Sequence, residues 1–291
     1  MLSLHTNNAA LSAQSSITRT QTSLSTSMTR LSTGYRINSA ADDAAGLQIA
    51  SRLNAQSSGM TVAMRNTQNA TSMLQTADGA LNEVGNMLIR MKDLATQAAD
   101  ASSTSQDKTA MQSEFDALGR ELSNVMRNTT FGGNPLLAGG TVASSMTFQI
   151  GASSGETMNV DLSTNMTTAV SSLATASATF GTSAAAAAST VTGSELTGGN
   201  ANGTIDKLST ALANINTVRS GLGAAQNRLS HVYNNLSNIN SNTKSASGLI
   251  MDVDFATESS NMTSNQMLLQ AGTAMLKQTN SMSSMVMSLL Q

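Results

Sequence analysis

Between Ile205 and Ile239 apolar side chains return every three or four residues: Ile205, Leu208, Leu212, Ile215, Val218, Leu222, Ala225, Leu229, Val232, Leu236 and Ile239. Only an α-helix with one buried stripe aligns such positions, and the single irregularity is a stammer after Ile215, where one step of three follows another. A stripe this narrow cannot enclose a core by itself, so the helix must pack against others. Composition agrees. With five Phe, two Tyr and no Trp, nineteen Met together with Leu and Ala must fill the interior. Flexible thioethers and small side chains suit helices packed side by side more than an aromatic-rich sandwich or pocket.

The same spacing recurs along the chain. Leu74, Ala77, Leu81, Val84, Leu88, Met91, Ala95 and Ala98 continue a helix that begins near Asp42. Met111, Phe115, Leu118, Leu122 and Val125 mark a shorter one, with Ser105 as its cap and Asp107 in its positive first turn. Near the amino end, Ile17, Leu24, Met28, Leu31 and Tyr35 predict a helix over about residues 4 to 35, polar on its other faces. After Asp252 and Asp254 the pattern restarts as Leu268, Met275, Met282 and Leu289, spaced by sevens, with Met285 and Val286 widening the row. Phe148-Gln-Ile150 and Met158-Asn-Val160-Asp-Leu162 alternate apolar and polar across a glycine turn, which predicts a β-hairpin. From about Ser163 to Gly203, a stretch that includes Ala184 to Ala188, low complexity predicts a small, loosely structured excursion.

Several function classes fall away. A net charge of −2 favours neither a nucleic-acid groove nor an anionic membrane as partner, and no apolar run reaches the roughly eighteen residues of a membrane span. The absence of cysteine excludes disulfides, thiolate metal sites and cysteine nucleophiles. His5 and His231 are too few for a two-histidine zinc motif. Asp42-Asp43 and Asp252-Val-Asp254 are carboxylate pairs of the kind used in acid–base chemistry, but each falls where a helix restarts and an acid complements the dipole. Gly132-Gly133 and Gly139-Gly140 have no lysine after them and read as turns rather than phosphate cradles. Neither enzymatic activity nor a cofactor is expected. The first residues lack the basic and apolar regions of a cleaved leader, so any export is expected to take another route.

The two ends have their own logic. Fourteen of the last forty residues are Ser, Thr or Asn, weak helix formers. Such tails are expected to be disordered in a lone copy and to fold only when many copies stack. On the helix of Leu74 to Ala98, Arg90, Leu94 and Gln97 share a face rotated about 100° from the core stripe. This predicts that Leu94 is uncovered within one chain and meets a neighbouring subunit.

At this point the residues carry a resemblance. The run Ser23-Leu-Ser-Thr-Ser-Met-Thr-Arg-Leu31-Ser-Thr-Gly34-Tyr-Arg36-Ile-Asn-Ser-Ala40-Ala-Asp42-Asp43-Ala-Ala-Gly46 resembles the amino-terminal signature of bacterial flagellins. So do Leu222-Gly-Ala-Ala-Gln-Asn-Arg228-Leu, Asp252-Val-Asp254-Phe-Ala-Thr-Glu258, Gln270-Ala-Gly272-Thr and the terminal Ser288-Leu-Leu-Gln291, in the family's order. The resemblance implies a mainly α fold: long coiled-coil-like terminal helices plus an elongated helical bundle with a small β-hairpin. Residues 1–41 and 252–291 would pair in the inner filament tube. Residues 42–165 and 204–251 would form the bundle, and 166–203 a short variable excursion where many relatives carry large outer domains.

It further implies a structural subunit of the extracellular flagellar filament used for motility, secreted through the flagellar export apparatus. Its partners would be copies of itself, an export chaperone, the filament cap and the hook-filament junction proteins. The polymerisation seams would be Ile17, Leu24, Met28 and Leu31 with Leu268, Met275, Met282, Met285 and Leu289. Leu88-Ile-Arg90-Met-Lys-Asp-Leu94-Ala-Thr-Gln97, with Glu114 on the following helix, resembles the patch through which many flagellins engage Toll-like receptor 5, although Ile89 stands where a glutamine is common. A hook-filament junction protein of the same family, or a secreted helical adhesin or effector, are the alternatives.

Overall fold

The computed structural model describes residues 7–181 and 192–289, with side chains through residue 282. His5, the run Ala184 to Ala188 and the side chains of Met285 and Leu289 lie outside the described residues. The order is α1 (Asn8–Thr33), α2 (Ala44–Ala99), α3 (Ser105–Asn128), β1 (Thr130–Phe131), β2 (Asn134–Pro135), a 3-10 turn (Thr141–Ala143), β3 (Ser145–Gln149), β4 (Thr157–Asp161), α4 (Ser163–Ala176), α5 (Ala201–Met251) and α6 (Phe255–Leu289). The mainly α expectation is met. Among the described residues no helix is long and apolar enough to cross a membrane.

The chain forms two compact units, residues 1–57 with 241–291, and residues 58–240. Both divisions fall inside long helices, α2 and α5, rather than at the helix breaks near residues 42 and 252.

In the unit of residues 58–240 one continuous core joins α2, α3, the strands, α4 and α5. Its α2 side is a row of steps of three and four from Ala70 through Leu74, Leu81, Leu88 and Met91 to Ala98, all buried, while Met60 and Ala63 lie buried with Leu236 in a separate, smaller cluster. On α5 the buried row is Leu208, Ala211, Ile215, Val218, Leu222, Ala225, Leu229 and Leu236. Ala211, not Leu212, is the seam residue, so the apparent stammer after Ile215 vanishes, and Leu212 lies partly buried on the flank. After Leu236 the row continues through Asn240 rather than the exposed Ile239. Helix α3 is capped one residue earlier than the sequence suggests: Thr104 accepts from the Asp107 backbone N–H at 3.2 Å, and the Asp107 carboxylate accepts from the Thr104 backbone N–H at 3.0 Å.

The predicted hairpin is β3 and β4, antiparallel with Phe148 opposite Met158 and with Met146, Met158 and Val160 turned into the core. The excursion is corrected by the structure. Its first part is helix α4, with Met166, Ala169, Leu173 and Ala176 buried, and the segments beyond it lie hydrogen-bonded across α3. Ser123 Oγ accepts from the Gly181 N–H at 2.9 Å, Asp116 accepts from the Gly193 N–H at 3.1 Å, and Gln112 Oε1 accepts from the Leu196 N–H at 2.7 Å. Gly119 sits in this polar stripe because a Cβ there would strike the Thr179 and Ser177 hydroxyls.

In the other unit α1 and α6 pair along their lengths. Gly34, with φ of 77°, ends α1 in the left-handed conformation that glycine adopts without strain, and its N–H donates to the Arg30 carbonyl at 2.9 Å. Ile37 and Ala50 are buried, and the Ser247 hydroxyl donates to Asn54 Oδ1 at 3.2 Å.

Candidate functional site

The α1–α6 pair is antiparallel. The Asn7 side chain reaches the Thr279 carbonyl at 3.3 Å, a Cβ on Gly272 would lie 2.9 Å from Ile17, and Arg30 meets Glu258 at 3.7 Å. The α1 residues turned inward are Ala10, Ala13, Ile17, Thr20, Leu24, Ser27 and Leu31, in steps of three and four. Facing them on α6 are Met262, Asn265, Leu269, Gly272, Leu276 and Thr279, spaced the same way. Each row is what a two-helix seam requires.

The expected seam residues therefore divide. Ile17, Leu24 and Leu31 are half-buried against α6, whereas Met28 is 55% exposed. Leu268, Met275 and Met282 do not face α1 and stay 59%, 63% and 53% exposed. The sevenfold spacing is real, but it marks the flank of the intramolecular seam. The facing row, which includes Asn265, Gly272 and Thr279, is less hydrophobic than the flank of Leu and Met.

The structure also departs from the expectation that the tails are disordered in one copy. They are helical and paired, and Thr18, Thr20, Thr22, Thr26 and Thr29 each return their hydroxyl to the carbonyl four residues back. That bonding satisfies polar groups on a helix with few apolar contacts. Among the side chains that the pair leaves uncovered are large apolar ones: Leu11, Met28, Met267, Leu268, Met275 and Met282 are all exposed.

The carboxylate pairs are used at helix ends. Asp42 accepts from the Ser39 backbone N–H at 2.8 Å, the Ser39 hydroxyl at 3.0 Å and the Asn38 backbone N–H at 3.1 Å, and the Ser39 backbone bond is the main cause holding its pKa below the usual carboxylate range. Asp43 accepts from the Gly46 N–H at 2.9 Å in the first turn of α2. Asp254 accepts from the Thr257 hydroxyl at 2.7 Å and the Ala256 N–H at 3.0 Å, bonds that also lower its pKa, the hydroxyl most. Arg30 stands between Asp42, at 4.0 Å, and Glu258 and so joins the α1 end, the connecting loop and the first turn of α6. Sequence spacing gave no hint of that junction.

On α2, Arg90 pairs with Glu114 of α3, Nη2 to Oε1 at 2.7 Å and Nε to Oε1 at 2.9 Å. Gln97 and Ile89 are exposed beside it. Leu94 is the exception: it is 3% exposed and belongs to the core. The premise that a residue 100° off the core stripe goes uncovered fails because α2 is packed by more than one neighbour, which widens its buried arc. No subunit contact is needed to bury it.

The site is thus a helix pair with a row of exposed apolar residues, and Asp43 and Asp254 sit at helix ends. The family model described as the bacterial flagellin N-terminal helical region matches residues 4–142, and the one described as the bacterial flagellin C-terminal helical region matches residues 205–290. The chain belongs to the flagellin family. It is 50% identical over 161 residues to polar flagellin F of Vibrio parahaemolyticus, a stretch covering 55% of this chain and 42% of that protein. Flagellin D of Vibrio cholerae is 48% identical over 161 residues, with the same coverage of each chain. The match thus spans less than half the length of these relatives. A solved structure assigned to a flagellar hook-associated protein from Vibrio parahaemolyticus is 15% identical and covers 72% of this chain and 99% of that one with a TM-score of 0.53, a likeness of fold.

Proposed function

We propose that this flagellin is a structural subunit, not an enzyme, that assembles with copies of itself into the extracellular bacterial flagellar filament used for motility. The observation that carries the reading is the exposed row Leu268, Met275 and Met282 on a paired terminal helix, in a chain whose two ends both match the family. Large apolar side chains exposed at regular spacing along a helix are stabilised by burial against another molecule. Residues 1–41 and 252–291 are assigned to the inner tube, residues 42–165 and 204–251 to the surrounding bundle. The partners of this role are further copies, the secretion apparatus with its chaperone, the cap and the hook-filament junction proteins.

The fold likeness to a hook-associated protein keeps a junction role as the second reading. Negative-stain microscopy of heat-dissociated protein added to sheared seeds separates the two. Long tubes are expected; short assemblies of fixed size would select the junction role, and monomers would remove both.

Engagement of Toll-like receptor 5 is a further proposed property, supported by the exposed Arg90–Glu114 pair with Gln97 alongside. Leu94, being buried, supports the helix and is not offered to the receptor. Arg90→Ala is expected to weaken binding of the receptor ectodomain to monomer by about 2 kcal/mol, as for an arginine at the centre of an interface. Unchanged binding in a titration would remove the proposal.

A further inference from the structure

The methionines of this chain fall into two classes by burial, and the classes follow the two compact units. We propose that Met28, Met267, Met275 and Met282 form a modification site for two-electron oxidants of the peroxide class, and that sulfoxide there keeps a copy from joining others without unfolding the core. The site rests on burial and chemistry; its consequence for joining rests on the filament reading.

In the unit of residues 58–240 each methionine is buried or half-buried, and Met91, Met126 and Met166 are almost wholly enclosed. In the other unit Met28, Met267, Met275 and Met282 each keep more than half of their surface in solvent. No other methionine is exposed among the described side chains.

Local sequence leaves these sulfurs open. A long side chain on a helix leans over the turn before it. For Met275 that turn carries Ala271 and Gly272, and for Met267 it carries Thr263 and Ser264, all too short to cover a thioether. The chain has neither cysteine nor tryptophan, so no more reactive side chain draws the oxidant away.

The chemistry is one oxygen transfer. A sulfur lone pair attacks a peroxide oxygen, and the S–O bond forms as the O–O bond breaks. The departing hydroxide takes the proton from the transferred oxygen and leaves as water. Sulfur loses two electrons and the peroxide gains them. A flexible apolar side chain becomes a polar, chiral one. Met275 and Met282 stand with Leu268 in the exposed ridge of α6, where the only charged residue from Ser259 to Met282 is Lys277. A sulfoxide oxygen pressed from that ridge against another surface without a donor is costly to bury. The core methionines keep their contacts, so oxidation separates joining from folding.

For the test, unassembled protein is exposed briefly to hydrogen peroxide, quenched and mapped by peptide mass spectrometry. The four exposed methionines are expected to gain one oxygen each about tenfold faster than Met91, Met126 and Met166, because susceptibility follows exposure. Circular dichroism should retain the thermal transition of residues 58–240, while elongation of sheared seeds falls about tenfold. Methionine sulfoxide reductases for both epimers, with a dithiol as electron donor, should restore growth; the oxygen leaves as water and the dithiol becomes a disulfide. A chain carrying Met28→Leu, Met267→Leu, Met275→Leu and Met282→Leu, changes that nearly conserve volume, should elongate seeds equally before and after peroxide. If that chain does not grow untreated, Met275→Leu with Met282→Leu carries the comparison and should lose less growth than the unmodified chain. Sulfoxide spread evenly over both units would overturn the site, and growth lost equally with and without leucine would overturn its consequence. If the untreated, unmodified protein fails to elongate seeds, the filament reading falls, and the sulfoxide map still decides the site.

Discussion

Leu94 and Arg90 lie one turn apart on α2 and answer to different forces. Leu94 is enclosed by the core, so Leu94→Ala removes buried methyl groups and leaves a cavity, at a cost of about 2–5 kcal/mol. Arg90 and Glu114 keep 55% and 46% of their side chains in solvent, where an ion pair contributes about 1 kcal/mol or less. Thermal unfolding followed by circular dichroism should therefore show a lowered transition for Leu94→Ala and almost none for Arg90→Ala. The reverse order would mean that α3 does not cover this part of α2. The pair also shows what a helical wheel can and cannot give. It fixes the angle between two side chains, but how wide an arc is buried depends on the number of neighbours.

At the scale of elements, the helix-end acids set a pH dependence. Hydrogen bonds hold the Asp254 pKa below its unfolded value, so its stabilisation of the start of α6 is complete above the unfolded pKa and is lost as pH falls through the folded one. Asp254→Ala should lower the helix content of the full chain near neutral pH, and the difference from the unmodified protein should close as pH drops well below about 4. A difference that persists in acid would assign the effect to something other than the carboxylate. Which elements were legible follows from what buries them. Helices α2, α3 and α5 and the β3–β4 hairpin announced themselves because Leu, Ile, Val, Met and Phe mark their buried faces. Helix α4 did not, since Ala169 and Ala176 share its buried face with only Met166 and Leu173. The segments lying across α3 are held by Gln112, Asp116 and Ser123, and burial through hydrogen bonds leaves no hydropathy pattern. On α6 the open flank was more apolar than the seam.

For the whole molecule, the two compact units separate the large apolar core from the row proposed to meet other copies. The large apolar core belongs to residues 58–240, whereas the exposed ridge belongs to the other unit. Ending the chain before Leu268 removes the ridge Leu268, Met275 and Met282 together with Leu269, Gly272 and Leu276 of the seam with α1, and leaves Leu208 to Leu236 of α5 intact. Amphipathic helices as polar as α1 depend on a partner for their order. The truncated chain should therefore lose α1 helicity as well as α6, keep the cooperative thermal transition of the remaining core, stay monomeric and fail to elongate seeds. Circular dichroism, light scattering and seeded growth read these separately. A truncated chain that still elongates seeds would place the subunit contacts among the residues before Leu268.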